Sequence, residues 1–136
     1  MPETCVLVIN CKTKMQNILR YWKTIATSGG ILYASLVRKP YFTLPSISYS
    51  DKWAHIVMYM LFGAVLLWEL SNNKVKKNTR IVISLALPIL YGGLIEILQE
   101  QFFYPRTGDW IDWVADIVGT IMGVALTYWI WKMKKN

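Results

Sequence analysis

Residues 110–131 read WIDWVADIVGTIMGVALTYWIW, and this stretch decides the fold class. Crossing the hydrocarbon core of a bilayer takes about 20 predominantly apolar helical residues, and the stretch is long enough. Two further segments resemble it: residues 53–70, WAHIVMYMLFGAVLLWEL, and residues 81–99, IVISLALPILYGGLIEILQ. None of the three alternates apolar and polar residues with the period of two that is typical of strands. The pattern predicts an all-α integral membrane bundle.

A fourth segment, residues 18–37, reads ILRYWKTIATSGGILYASLV. Arg20 and Lys23 lie in its first turns, where long basic side chains can reach the membrane surface. We therefore predict four transmembrane helices, at approximately residues 18–37, 53–70, 81–99 and 110–131. They form one membrane domain, residues 18–136, preceded by a cytoplasmic N-terminal segment, residues 1–17.

The composition also suits a lipid environment. The 136 residues are 54% hydrophobic and 14% aromatic, and the mean hydropathy is +0.32. Trp and Tyr, which collect at membrane interfaces, are abundant. The net charge of +7 is compatible with binding to nucleic acid or to an anionic membrane, so the positions of the charges must decide.

The basic residues concentrate in residues 12–23, in the loop 71–80 and in the tail 132–136. Segments rich in Lys and Arg remain on the cytoplasmic side of a membrane. Four helices with both termini in the cytoplasm place all three clusters on that side, whereas three helices would separate the first cluster from the second. The predicted partner is therefore the lipid bilayer. Nucleic acid is not expected, because no basic stripe on a soluble fold remains to bind it.

In this topology, polar residues from three predicted helices and one loop reach the outer membrane face. Asp51 and His55 lie one helical turn apart, as do Glu96 and Gln99, and Asp112 is followed one turn later by Asp116. Ionisable residues inside a membrane are costly and usually functional. The predicted ligand-binding residues are Asp51, Lys52, His55, Glu96, Gln99, Arg106, Asp109, Asp112 and Asp116.

A purely structural interpretation of these acids explains only some of them. Asp109 or Asp112 alone could act as an N-cap or complement the helix dipole. Glu96 lies in the last turns of its helix, where the dipole disfavours an acid. Asp116 lies roughly 9 Å along the helix from Trp110, at 1.5 Å per residue, so it needs a partner. Arg106, His55 and Lys52 are its expected partners.

The chemistry of the cluster is not fixed by residue type. Candidate catalytic residues are His55, Glu96 and Asp112, but no nucleophile–base pair can be named. One histidine among carboxylates is a poor zinc set, so we predict no metal site and leave a hard cation held by carboxylates as the alternative. No cofactor is indicated. Gly119 and Gly123 form a small-xxx-small motif that allows close approach of a helix, and a homodimer is one use of it.

The sequence resembles the VanZ-like family of small bacterial membrane proteins. The resemblance covers roughly residues 50–130 and rests on three motifs in order: SDKWAHIVMYMLFG at 50–63, IEILQ at 95–99 and RTGDWIDWVADIVGTIMG at 106–123. One departure is Asp116, where the family often has Asn. The resemblance implies a bacterial inner-membrane protein linked to the cell envelope. Its namesake is associated with low-level resistance to the glycopeptide teicoplanin.

Three functional hypotheses follow. The leading one is an outward-facing polar pocket that binds a polar headgroup, such as a lipid-linked wall precursor or a lipoglycopeptide. Arg106 and Lys52 would hold anionic groups, and the carboxylates would accept hydrogen bonds. The second is an enzyme acting on an envelope lipid, with His55 and Glu96 or Asp112 as acid and base. The third, a small transporter or assembly factor, is disfavoured because the inner halves of the helices are apolar.

Overall fold

The computed structural model describes residues 20–36, 50–72, 75–102 and 109–135, with the side chains of Ser50, Asp51 and Lys135 left out. These residues form four α-helices: α1, Trp22–Leu36; α2, Ser50–Ser71; α3, Lys77–Phe102; and α4, Trp110–Lys135. The described part of the chain contains no strand. The predicted all-α class is therefore confirmed, while the N-terminal segment 1–17 lies outside the described residues.

Three of the helices are long and apolar enough to cross a membrane: Lys52–Ser71, Lys77–Phe102 and Trp110–Lys134. Helix α1 has 15 residues, which at 1.5 Å per residue is roughly 22 Å and shorter than a hydrocarbon core of about 30 Å. Three of the four predicted spans are thus supported by length and composition, and the first is not. The chain is a multi-pass membrane protein.

The helices α2 to α4 extend beyond the predicted apolar segments at their polar ends. Helix α3 begins at Lys77 rather than at residue 81, and α4 continues to Lys135 rather than to residue 131. Lysine has a high helix propensity, and a helix does not need to stop where the hydrocarbon ends. Apolar composition therefore located the spans but not the ends of the helices.

Large apolar side chains cover the surface of the bundle, and polar side chains share its interior with an apolar core. Leu90, Trp110 and Trp53 are among many large apolar side chains on the surface of the bundle. A lipid-facing surface of this kind is compatible with hydrocarbon and not with water. Polar or charged side chains occupy the interior: Ser35, His55, Glu69, Ser84, Glu96, Gln99, Asp112, Asp116 and Thr120.

Helices α2 and α4 pack closely against each other at two glycines of α4. A Cβ atom at Gly119 would collide with the carbonyl group of Ile56, and one at Gly123 would collide with that of Met60. The close approach that the small-xxx-small motif predicts is confirmed, and it occurs within one chain. A homodimer would have to use another surface, and the homodimer itself stays a prediction.

Helix α1 is held at both ends by side chains from its neighbours. Glu69 near the end of α2 accepts hydrogen bonds from the backbone N–H groups of Lys23 and Thr24, each at 3.1 Å, in the first turn of α1. Gln99 near the end of α3 donates to the Ser35 carbonyl at 2.9 Å, in the last turn of α1. Because α2 and α3 run in opposite directions, the two ends of α1 lie at opposite ends of the bundle.

Candidate functional site

At one end of the bundle lies a polar cluster, and its centre is a buried contact between a histidine on α2 and an aspartate on α4. His55 Nδ1 and Asp116 Oδ1 are 2.9 Å apart, and both side chains are almost fully buried. Asp116 was expected to need a partner, and His55 was one of the three that the sequence offered. A carboxylate on Nδ1 orients the imidazole ring and fixes the position of its proton.

Two neighbouring side chains shape the environment of this pair. Tyr59, one turn below His55 on α2, stacks parallel to the imidazole with ring centroids 6.5 Å apart. Gly92 on α3 leaves the space that the Asp116 carboxylate occupies, since a Cβ there would lie 2.6 Å from Asp116 Oδ2. His55 and Tyr59 are thus both buried, and the side chain of Asp51, which the sequence placed one turn before His55, lies outside the described part.

Lys52 lies next to the pair and bridges two acids of the α4 N-terminus. Its Nζ atom is 3.0 Å from Asp109 Oδ2 and 3.2 Å from Asp112 Oδ1. Asp109 Oδ1 also accepts the backbone N–H of Ile111 at 2.9 Å, so Asp109 is the N-cap of α4. The hydrogen bond from Ile111 and the Lys52 ammonium hold the pKa of Asp109 below its usual value.

Glu96 joins the end of α3 to the start of α4. Its Oε2 atom accepts the backbone N–H of Asp109 at 3.0 Å. Glu96, His55 and Asp112 each place one potential ligand atom within 4.8 Å of the other two. The dipole of α3 disfavours an acid near the end of that helix. Glu96 instead accepts a hydrogen bond from the start of α4.

A cleft of about 200 Å³ between α3 and α4 adjoins this cluster. Glu96 and Glu100 contribute its polar wall, while Trp110 and Trp113 contribute an aromatic one. The two indole rings contact each other edge to face, and Trp113 Nε1 donates to the Ile89 carbonyl at 3.0 Å. Glu96 therefore lies both in the polar cluster and in the wall of this cleft.

A family model described as VanZ/LLP1 matches residues 8–132. The chain belongs to the VanZ/LLP1 family. The match confirms the resemblance seen in the sequence and extends it over α1, which the three motifs did not cover. No curated protein and no solved structure matches the chain.

In this VanZ/LLP1 chain, most of the predicted site residues that can be located lie together. The structure brings together Lys52, His55, Glu96, Asp109, Asp112 and Asp116. Gln99 points toward α1, where it donates to the Ser35 carbonyl. Arg106 and the side chain of Asp51 lie outside the described residues, so their predicted roles stay predictions. His55 and Glu96 lie close together in this cluster, and their predicted role in ligand binding stays a prediction.

Sequence reasoning missed two contributors to the polar interior. Tyr59 was not among the predicted site residues, and its parallel packing on His55 depends on the three-dimensional structure. Glu69 was overlooked although it interrupts an apolar segment in the same way as Glu96 does. An acid in the last turns of an apolar helix was therefore an available signal for Glu69, as it was for Glu96.

Proposed function

We propose that this VanZ/LLP1 protein spans the bacterial inner membrane four times and binds the polar headgroup of an envelope molecule at its outer face. The ligand class is a lipid-linked wall precursor or a teicoplanin-type glycopeptide, and the biological output is glycopeptide resistance. The observation that carries the proposal is the buried polar cluster at which α2, α3 and α4 meet. Ionisable residues inside a membrane bundle are costly, and clusters of them commonly mark functional sites.

Charge supports a role in holding a headgroup. Lys52 already bridges two carboxylates, so its ammonium group is fixed in place at the mouth of the cluster. Arg106, from the loop before α4, would add a bidentate donor for a phosphate or carboxylate. Glu96, Asp112 and Asp116 would accept hydrogen bonds from hydroxyl or amide groups of the ligand.

The position of the cleft supports a ligand with a lipid anchor. Ile97 and Trp110, which line it, are largely exposed on the lipid-facing surface. A molecule whose chain lies in the bilayer could therefore bring its headgroup to Glu96 from the side. A ligand arriving from water would reach the same acid over the indole of Trp110, at interface depth.

A second candidate function, an enzyme acting on an envelope lipid, is favoured by the contact between His55 and Asp116. A histidine oriented by a buried carboxylate is the usual form of a general base. Glu96 and Asp112 lie within reach as a partner acid. The test must therefore separate binding from turnover.

The first experiment measures teicoplanin susceptibility in cells that carry matched membrane levels of each variant. If the protein holds an anionic headgroup, Lys52→Gln and Arg106→Lys should each lower the protective effect at least fourfold. Arg106→Lys keeps the charge and loses the bidentate fork, so it tests geometry rather than charge. Lys76→Gln is the control, because Lys76 is an exposed lysine at the opposite end of the bundle. Full protection by both site variants would refute the proposal.

The second experiment decides between binding and catalysis. Purified protein in nanodiscs is incubated with a lipid-linked wall precursor, and retention and product formation are both followed by mass spectrometry. A binding protein retains the precursor unchanged, and His55→Gln, which keeps a hydrogen-bonding group, retains part of it. Conversion that disappears in His55→Gln would instead establish the enzyme, because glutamine does not titrate near neutral pH.

A further inference from the structure

We propose that His55, Glu96 and Asp112 form a binding site for one divalent cation. The inference deepens the proposed function and rests on it for its biological meaning, but the cation site itself can be tested independently. Sequence alone argued against a metal here, because one histidine among acids is a weak signature. The fold changes this judgement, because it brings three donors together from three different helices.

The first argument is geometric. The three donor atoms lie within 4.8 Å of one another, and the residues are only 4%, 9% and 9% exposed for His55, Glu96 and Asp112. Ligands bonded at about 2.0–2.2 Å to one ion lie roughly 3.5 Å apart in tetrahedral geometry. Each donor would need to move by about an ångström or less, which a rotation of a carboxylate supplies. Donors that come from α2, α3 and α4 would also lock the three helices together.

The second argument concerns the groups behind the ligands. Metal-binding histidines commonly donate their other ring N–H to a carboxylate, and ligating carboxylates are hydrogen-bonded in turn. Asp116 occupies this position beside His55 Nδ1, which places the lone pair of the neutral ring on Nε2. Lys52 donates to Asp112 Oδ1 and the Asp109 N–H donates to Glu96 Oε2, each contact using one of the two carboxylate oxygens. All three proposed ligands thus have the supporting contacts of a metal site.

The third argument is electrostatic. Among the described residues of the cluster, Lys52 is accompanied by Glu96, Asp109, Asp112 and Asp116. Carboxylates removed from water need a cation or a proton. A bound divalent ion would offset two of these negative charges, and its remaining coordination positions would attract phosphate oxygens. This would explain how an acid-rich cluster can accept an anionic headgroup from the cleft beside Glu96.

The mixed donor set indicates the class of ion. Imidazole suits zinc and similar transition metals, whereas carboxylates also suit manganese and magnesium. One nitrogen and two oxygen donors therefore fit Zn²⁺ or Mn²⁺ better than they fit a thiolate-seeking ion or Ca²⁺, which prefers oxygen ligands throughout. Mn²⁺ is the practical probe, because its free aqueous ion gives an electron paramagnetic resonance signal that is lost on binding.

The experiment titrates Mn²⁺ into the full chain in phosphatidylcholine nanodiscs, which carry no anionic lipid. We expect one Mn²⁺ per chain, displaced by Zn²⁺, with binding weakened at least tenfold in Glu96→Gln and in Asp112→Asn. Asp116→Asn should weaken binding 10- to 100-fold, as replacements behind a ligand usually do. Glu69→Gln is the matched control: a buried acid at the other end of the bundle whose replacement should leave Mn²⁺ binding unchanged.

A second measurement guards against variants that fail to fold. Saturating Mn²⁺ should raise the unfolding midpoint of the wild-type protein and of Glu69→Gln, and not that of Glu96→Gln. Folded wild-type protein that leaves the Mn²⁺ signal unchanged would overturn the inference. The cluster would then be neutralised by protons or by the Arg106 guanidinium, and the proposed function would still stand if Arg106→Lys lowers protection. Mn²⁺ binding with full protection in Lys52→Gln and Arg106→Lys would establish the cation site and refute the headgroup proposal.

Discussion

At the scale of single residues, the polar interior is organised by pairing rather than by exposure to water. Glu69 is 7% exposed, yet its carboxylate accepts two backbone N–H groups from the first turn of α1 and the Thr24 hydroxyl at 2.6 Å. The first N–H groups of a helix have no partner within the helix. An acid at that position also faces the positive end of the helix dipole. Glu69 is therefore an N-cap supplied by another helix.

Replacing Glu69 by Ala should lower the free energy of unfolding by about 1–3 kcal/mol, because the donors of Lys23 and Thr24 lose their acceptor in a poorly hydrated place. Glu69→Gln should cost less, since the amide oxygen can still accept a hydrogen bond. The measurement is unfolding of the micelle-bound protein by added sodium dodecyl sulfate. Glu100→Ala, which removes an exposed acid from α3, is the control. Equal stability of Glu69→Ala and Glu100→Ala would contradict the capping role.

Several of these residues were predictable because the cost of a charge in lipid is visible in the sequence. His55, Glu96 and Asp116 stand out in apolar segments, and the predicted topology places each of them at the same end of the bundle. Their pairing was not predictable, because it depends on how the helices are rotated about their axes. Lys52 illustrates this, since it was a candidate partner of Asp116 and instead bridges Asp109 and Asp112.

At the scale of helices, the bundle depends on how closely α2 and α4 approach. Gly63 on α2 faces α4, where a Cβ would lie 3.0 Å from the Thr120 carbonyl. Gly119 and Gly123 on α4 face the backbone of α2 in the same contact. Lipid gives no hydrophobic drive to helix association, so close packing of backbones contributes much of the attraction. This contact also fixes the separation between His55 and Asp116.

Gly123→Ala should lower the free energy of unfolding by about 1–3 kcal/mol, which is the usual cost of overpacking, because α2 must move away from the added methyl group. Gly29→Ala on α1 is the matched control, since nothing lies within 4 Å of a Cβ there. That control should be neutral or stabilising, because Ala has a higher helix propensity than Gly. Detergent unfolding of the two variants side by side provides the measurement. A Gly123→Ala protein as stable as Gly29→Ala would show that α2 and α4 are less tightly packed than the structure indicates.

The positions of the helices could be predicted more reliably than their lengths. Apolar runs identified α2, α3 and α4, and the motif Gly119 to Gly123 identified a close helix contact. The partner of that contact was not predictable, since a glycine motif serves a second chain as readily as a neighbouring helix. The first helix was predicted over 18–37 and is described over Trp22–Leu36. Gly29 and Gly30 have a low helix propensity, so the sequence predicts this helix less clearly than the other three and does not define its ends.

At the scale of the whole molecule, the number of membrane crossings decides which end of the bundle faces outward. Helix α1 is short, but Glu69 and Gln99 hold its ends at opposite ends of the bundle. Basic residues are concentrated where α2 gives way to α3 in the sequence, and Lys77 and Arg80 lie in the first turn of α3, at the end opposite to the polar cluster. Basic segments tend to remain cytoplasmic, so we predict that this end faces the cytoplasm and that the cluster faces outward.

Cysteine labelling in intact cells tests this arrangement. The native Cys5 and Cys11 are first replaced by Ser, and single cysteines are then introduced at Asn73, Asn136 and Ser46. An impermeant maleimide should label Ser46→Cys in intact cells and the other two only after permeabilisation. Restoring Cys5 alone reports the N-terminus and separates four crossings, which keep it inside, from three, which place it outside. Rapid labelling of Asn73→Cys in intact cells would invert the topology and move the cluster of His55 and Asp116 to the cytoplasmic face, where no extracellular glycopeptide could reach it.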